Sequence, residues 1–281
     1  MKMNKKFMDY LYASKKSENT IKSYTAHINS MLETVNKPEN EITYADLLAW
    51  QNSLSNKSSA TVALNIAAIK SYFKHLQLLG EIDNDPAKNL EKTTVHNKEK
   101  NKIPVEDMRK IIDNLYTAQS KAMVALIAST GMRYAEAASI TLQQYKDAIE
   151  HNTYSIKIIG KGNKERTIYI NAMAQKYIDE YLNKHYKNGK ATDKLFVSID
   201  PSSLRKSLIL AGKKANLPYA EQLSPHWLRM FWATNAHTNG VDLATIRDAL
   251  GHSNIAVTSR YIKSCDDDVK NAMFQDMIFD M

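Results

Sequence analysis

Cysteine is almost absent from this sequence, with Cys265 as the single copy in 281 residues. An intramolecular disulfide framework is therefore excluded and a reducing compartment is favoured, so we expect a cytoplasmic protein. Long apolar runs are also missing, whereas a membrane-spanning helix needs about 18 or more apolar residues in a row. Segment 7–14 is too short and too polar for the apolar part of a signal peptide. We therefore predict no membrane partner.

Clustered metal ligands are missing as well, because the eight histidines form no compact group with cysteine or aspartate. Positive charge, by contrast, is abundant, and the net charge is +8. Residues 1–102 carry 15 basic and 11 acidic side chains, and residues 103–281 carry 23 and 19, so each part contributes +4. Charge spread in this way favours a polyanionic partner such as nucleic acid.

Apolar residues at helical spacing predict a helical region over the first 90 residues. One predicted helix covers 19–37, a second starts at Thr43, with Asp46 three residues later as a weak capping box, and a third ends at Gly80. Residues 91–102 are polar and lack periodicity, which predicts a solvated linker.

Beyond Pro104 the pattern is again mainly helical, with one change of period. Residues 154–159 and 166–170 are rich in β-formers, and the glycine-containing segment between them predicts a hairpin loop. The apolar run 195–197 predicts one more short strand. The predicted fold is thus mainly α with a small antiparallel sheet, divided into a helical domain 1–90, a linker 91–102, a second domain 103–265 and a C-terminal helix 266–281.

Arg133 and Glu136 lie where one predicted helix ends at Gly131 and the next begins. Gly131 suits the positive φ of a sharp join, and a helix N-terminus near Arg133 favours a bound anion. Glu136 shares the helical face of Arg133, and a local surface ion pair is the alternative reading. Lys161, at the hairpin tip, can deliver a positive charge or a proton, although basic hairpin tips are also common on surfaces.

His226 and Arg229 are three residues apart in the first turn of a predicted helix that begins at Ser224 and Pro225. An imidazole and a guanidinium that converge at a helix N-terminus can bind a phosphate. The alternative is a purely structural histidine.

His252 follows Gly251, the predicted stop of a helix over 242–250. The negative end of that helix favours a protonated imidazole. Tyr261 comes nine residues later and is one of 15 tyrosines, so its position alone indicates nothing about chemistry.

In their order along the chain, these residues resemble the active-site set of the tyrosine recombinase (phage integrase) family. The resemblance covers nearly the whole chain, because the N-terminal helices are similar to the family's core-binding domain. The Xer-type and small integrase branches are the most similar, whereas Met230 stands where many relatives carry a second histidine. The matching strings are Thr130-Gly131-Met132-Arg133, Gly160 to Arg166, His226-x-x-Arg229, Leu250-Gly251-His252-Ser253 and Tyr261.

The resemblance implies a site-specific recombinase that cleaves and rejoins DNA through a 3′-phosphotyrosyl link at Tyr261. It implies no metal and no other cofactor, because basic side chains supply the positive charge and the link conserves the bond energy. The other implied roles are general base for His226, general acid for Lys161, phosphate binding for Arg133, Arg229 and His252, and support for Glu136.

The resemblance also implies a partner, double-stranded DNA with an inverted-repeat site. The enzyme would act as a homotetramer, or as a heterotetramer with a second recombinase, with helix 266–281 docked on a neighbouring subunit or packed on its own. Xer-like dimer resolution is favoured, since there is no room before Phe7 for an extra arm-binding domain. Alternatives are an integrase or excisionase of a mobile element, a type IB topoisomerase-like enzyme, and a non-catalytic DNA-binding relative.

Overall fold

The structure is a computed structural model that describes residues 3–91, 102–160, 164–185, 193–197, 200–259 and 261. Most of the predicted linker, Lys161 and the predicted C-terminal helix lie outside these residues. The chain divides into two compact units, 1–99 and 100–281. No helix in the described part is long and apolar enough to cross a membrane.

The first unit is built from helices that bury one apolar face each. The predicted capping box is present: the Thr43 hydroxyl accepts the Asp46 N–H, and the Asp46 carboxylate accepts the Thr43 N–H at 2.9 Å. Phe7, Leu32 and Phe73 are among the fully buried core residues. The helices, which confirm the predicted helical character of this region, are α1 (Lys5–Ala13), α2 (Glu18–Val35), α3 (Tyr44–Ser53) and α4 (Ser59–Leu78).

The second unit surrounds a helix that is apolar on almost every side. This helix, α6 (Ala118–Thr130), is buried from Ala122 to Ala128 and packs against the helices Ala172–His185 and Pro225–Thr238. A helix without a polar face has to lie inside the unit, and α6 therefore organises the elements around it. Those elements are α5 (Val105–Asp113), α7 (Tyr134–Ala137), α8 (Leu142–Glu150), α9 (Ala172–His185), α10 (Pro201–Lys214), α11 (Pro225–Thr238), α12 (Leu243–Leu250) and α13 (Ile255–Ser259).

The predicted hairpin is present as β1 (Ser155–Ile159) and β2 (Glu165–Tyr169), which pair antiparallel with Ile156 opposite Ile168. Residues 195–197, predicted as a strand, are not one. The described residues near them contain only an isolated bridge between Thr141 and Lys194. Leu195 and Phe196 are buried in the core, so the apolar run signalled burial rather than a strand.

Candidate functional site

Two glycines end helices at the centre of the site, both in the left-handed conformation. Gly131 ends α6 with φ +66° and Gly251 ends α12 with φ +65°, which confirms both predicted stops. A side chain at residue 131 would also collide with Trp232, because an added Cβ would lie 2.6 Å from the indole ring. Glycine is therefore required there by conformation and by space.

Arg229, on α11, joins these two helix ends. Its guanidinium donates to the carbonyl of Gly131 at 2.6 Å and to the carbonyl of Leu250 at 2.6 Å. The residue is 2% exposed. Burial, and then the nearby charge of Arg133, lower the pKa of Arg229 to about 10. Arg229 is thus a buried cation fixed to two backbone turns, and it remains charged at neutral pH.

Glu136 binds two arginines rather than one. It accepts from Arg133 Nη1 at 2.9 Å, as the predicted local ion pair requires, and from Arg166 Nη2 at 2.7 Å and Nη1 at 3.1 Å. Its side chain is 5% exposed, so the pair is not a surface feature. Burial alone would raise the pKa of Glu136, but the hydrogen bonds from Arg166 and Arg133 outweigh it and lower the pKa to about 2.

Arg166 is the functional-site residue that sequence reasoning did not single out. It lies on β2, and its Nε donates to the carbonyl of Ala249 at 2.9 Å, near the end of α12. Gly160 leaves space for it, since an added Cβ there would lie 2.9 Å from Arg166 Nη1. A signal did exist: Arg166 falls on the same face of β2 as the buried Ile168, an unusual position for an unpaired charge.

Tyr261 lies against two imidazole rings. Its ring centroid is 5.4 Å from that of His226 and 5.6 Å from that of His252, both edge-to-face. His226 is exposed in the first turn of α11, which has Ser224 at its N-cap position and Pro225 as its first residue, as predicted. Tyr261 itself is half-buried. Residues separated by 35 positions in sequence therefore meet at one point.

His252 is neutral, and the predicted protonated imidazole is wrong. Burial and the positive charges of Arg229 and Arg133 lower the pKa of His252 to about 4. Arg229 Nη2 lies 2.8 Å from His252 Nε2. The helix end does favour a positive charge at this place, but burial and the neighbouring guanidinium groups outweigh it.

The described residues therefore assemble every predicted site residue except Lys161, which lies outside them. Three guanidinium groups, two imidazoles and one phenol converge, an arrangement suited to binding a phosphate and transferring it to the phenol oxygen. Among the described residues, no group of three or more His, Cys, Asp or Glu side chains could hold a metal ion.

Replacing Glu136 with glutamine is expected to lower the free energy of unfolding of the second unit by about 3 kcal/mol at pH 7, because two arginines lose a buried charged partner. The folded pKa is depressed from 4.5 to about 2, so the contribution is complete above pH 4.5 and is lost as pH falls toward 2. The difference between wild type and variant should shrink by about 2 kcal/mol at pH 3. Denaturant titration, followed by tryptophan fluorescence, measures the free energy of unfolding of both proteins at each pH.

The matched control for this prediction is Glu106→Gln. Glu106 also pairs with an arginine three residues away, but its side chain is 68% exposed. Its replacement should change the free energy of unfolding by less than about 0.5 kcal/mol at either pH. If the difference in free energy of unfolding between wild type and Glu136→Gln stayed constant from pH 6 to pH 3, the depressed pKa of Glu136 would be contradicted.

Two family models match this chain. One, described as "Phage integrase family", matches residues 101–267. The other, described as "Phage integrase, N-terminal SAM-like domain", matches residues 3–78. The first spans Arg133 through Tyr261, and thus every predicted site residue.

Curated relatives align with most of the chain. "Tyrosine recombinase XerC" of Herpetosiphon aurantiacus is 30% identical, over 86% of this chain and 84% of its own length. "Tyrosine recombinase XerC" of Rickettsia bellii is 28% identical, over 92% and 91%. "Tyrosine recombinase XerD" of Oceanobacillus iheyensis is 25% identical, over 87% of each.

Solved structures share the fold. XerH recombinase bound to its difH substrate in a pre-cleavage complex is similar with a TM-score of 0.67 and 20% identity, over 91% of this chain and 79% of that one. A lambda integrase dimer bound to a COC′ core site gives a TM-score of 0.72 at 15% identity, over 91% and 92%. These similarities confirm the predicted fold class.

Proposed function

The chain belongs to the phage integrase family and is a tyrosine recombinase, and from this premise we propose that it cleaves and rejoins a specific DNA site through Tyr261. The tyrosine would form a 3′-phosphotyrosyl link and release a 5′-hydroxyl. The observation that carries the proposal is the position of Tyr261, whose ring lies against the rings of both His226 and His252. Among the tyrosines that the structure describes, this position sets Tyr261 apart.

The proposed step replaces one phosphate ester with another. The phenol oxygen of Tyr261 attacks phosphorus while the bond from phosphorus to the 5′-oxygen breaks. A tyrosine hydroxyl has an ordinary pKa of about 10, so it needs a proton acceptor at neutral pH. His226, exposed beside the ring, is the base we propose. Lys161 would supply the proton to the leaving 5′-oxygen, a task that suits a movable ammonium group.

The arginines would stabilise the transition state. Arg133 is partly exposed and Arg229 is held in place by two carbonyls, so both can present N–H groups to non-bridging oxygens. His252 would add a hydrogen bond. Glu136 would support the site by orienting Arg133 and Arg166. Positive charge for the reaction comes from these side chains, so we expect cleavage in the absence of metal.

We propose Xer-like dimer resolution as the biological role, since the relatives named XerC and XerD align over 84–91% of their own lengths. Residues 1–90 would form the core-binding domain, 91–102 the linker and 103–265 the catalytic domain. Helix 266–281 would dock on a neighbouring subunit in a tetramer on inverted-repeat DNA. The tetramer would contain one recombinase or two.

Integration or excision of a mobile element is the second candidate, because solved integrases share the fold.

The test of the chemistry is covalent trapping. The site is first selected by binding from a randomised DNA pool, and a nicked form of it is then incubated with the protein in EDTA. We expect a covalent protein–DNA band on a denaturing gel, with the DNA adduct on Tyr261 by peptide mass spectrometry. An adduct on another residue would overturn the assignment. Tight specific binding with no band, alone or with partner recombinases, would favour a non-catalytic relative.

The role is tested on a supercoiled plasmid that carries two directly repeated copies of the site. Resolution into two circles is expected from a recombinase. Relaxation of a plasmid without the site would instead indicate a topoisomerase-like activity.

A further inference from the structure

Thr258 contacts both His252 and Tyr261. It lies in the short helix α13, where Ile255, Ala256 and Ser259 are exposed, yet Thr258 is fully buried. Its carbonyl accepts the backbone N–H of Tyr261 at 2.9 Å. Its hydroxyl Oγ1 lies 2.9 Å from His252 Nδ1. A buried polar side chain on an otherwise exposed turn thus links the histidine to the tyrosine.

The hydrogen bonds of His252 define where its proton lies. A guanidinium group only donates hydrogen bonds, so His252 Nε2, at 2.8 Å from Arg229 Nη2, is the acceptor and carries no hydrogen. A neutral imidazole has one N–H. Nδ1 must then carry it and donate to the Thr258 hydroxyl. In the protein without DNA, His252 is therefore fixed as the Nδ1–H tautomer.

That tautomer is the wrong one for binding a phosphate. To donate to a phosphate oxygen, the nitrogen next to Arg229 needs a hydrogen, and Nδ1 then becomes an acceptor. A threonine hydroxyl can accept from Nδ1–H or donate to Nδ1, whereas a carbonyl or a carboxylate only accepts. Thr258 can therefore hold the ring in place in both tautomers, and the exchange leaves the number of protons on His252 unchanged.

We propose that Thr258 is a positioning residue that lets His252 exchange its bond with Arg229 for a bond to the DNA phosphate. The proposal rests on the proposed function, because it takes the ligand to be a phosphodiester. Thr258 touches no substrate in this scheme and acts only through the ring of His252.

The test compares Thr258→Val with Thr258→Ser. Valine keeps the shape and loses the hydroxyl, whereas serine keeps the hydroxyl and loses a methyl group. If the hydroxyl matters, single-turnover cleavage of the nicked site should slow about 10- to 100-fold in Thr258→Val, the effect typical of removing an orienting partner of a histidine. Thr258→Ser should retain most of the rate, and both variants should keep wild-type DNA affinity. If only packing matters, serine is the more damaging change. Slower cleavage by Thr258→Ser than by Thr258→Val would therefore overturn the proposal.

Nitrogen-15 NMR of histidine-labelled protein tests the contact without DNA or catalysis. The His252 signals are assigned by their loss in His252→Gln. We expect the Nδ1–H tautomer in wild type and in both variants, because Arg229 still donates to Nε2. The Nδ1 hydrogen should exchange with water faster in Thr258→Val than in wild type or Thr258→Ser, because it loses its acceptor. An Nε2–H tautomer in wild type, or an unchanged exchange rate in Thr258→Val, would overturn the inference. Absence of cleavage by wild type would instead count against the proposed function, and the NMR result would still decide on Thr258.

Discussion

Replacing Tyr261 with phenylalanine will abolish the covalent protein–DNA complex and leave the affinity for the DNA site within about twofold. The change removes one oxygen atom, the one we propose as the nucleophile. The ring itself packs against the cluster formed by Ala233, Ile246 and Leu250 and against two imidazoles, and phenylalanine can keep these contacts. Loss of a nucleophile for which no substitute exists lowers such rates by about 10⁴-fold or more. Denaturing gels with the nicked site measure the covalent product, and gel-shift titration measures affinity.

Tyr116→Phe is the matched control. It makes the same chemical change on a side chain that is 71% exposed and contacts Lys214 rather than the site. The control should cleave at the wild-type rate. A covalent band from Tyr261→Phe at even one per cent of the wild-type rate would mean that another residue attacks the phosphate. Loss of DNA affinity in Tyr261→Phe would mean that the hydroxyl serves binding rather than transfer.

Local patterns were enough to predict where the site's backbone turns. Glycine at 131 and at 251 marks the two helix stops, because the left-handed conformation is costly for other residues. The Thr43 capping box and the hairpin are likewise properties of a few neighbouring residues. The strand that the sequence predicts at 195–197 is wrong because three apolar residues do not distinguish a strand from a buried loop.

The bonds that complete the site join residues far apart in sequence. Arg166 reaches Glu136 across 30 positions and the Ala249 carbonyl across 83. No spacing rule connects them, since they meet only after β2 packs against α12. The sequence does not predict the charge of His252 correctly, for the same reason. The helix end that favours a proton is local, whereas the burial and the guanidinium groups that oppose it come from other elements.

Replacing Arg229 with alanine will lower the single-turnover rate of covalent complex formation by about a thousandfold, while destabilising the second unit by only about 2 kcal/mol. A thousandfold loss of rate is the upper part of the range for removing one fixed donor to a developing charge. The loss of stability is small because two effects on the free energy of unfolding oppose each other. The carbonyls of Gly131 and Leu250 lose a buried partner, which destabilises. Removing a buried cation near Arg133 relieves repulsion, which stabilises.

Because these two effects on stability oppose each other, we regard Arg229 as a group that binds the phosphate rather than as a structural one. Its three hydrogen-bond partners among the described residues are neutral: two carbonyls and one imidazole. A cation kept in such surroundings is poorly compensated until an anion arrives, and a phosphate would supply the missing negative charge. Arg229→Lys keeps the charge but cannot span both carbonyls, so its rate should fall about a hundredfold.

Arg109→Ala is the control, because Arg109 is 67% exposed and pairs only at the surface with Glu106. It should leave the cleavage rate unchanged and alter the free energy of unfolding by less than about 0.5 kcal/mol. If Arg229→Ala cleaved within tenfold of wild type, the buried guanidinium would be a structural clamp on the ends of α6 and α12, and phosphate stabilisation would have to come from Arg133. If Arg229→Lys cleaved as fast as wild type, charge alone would suffice, and the geometry that fixes the two N–H groups would have no catalytic part.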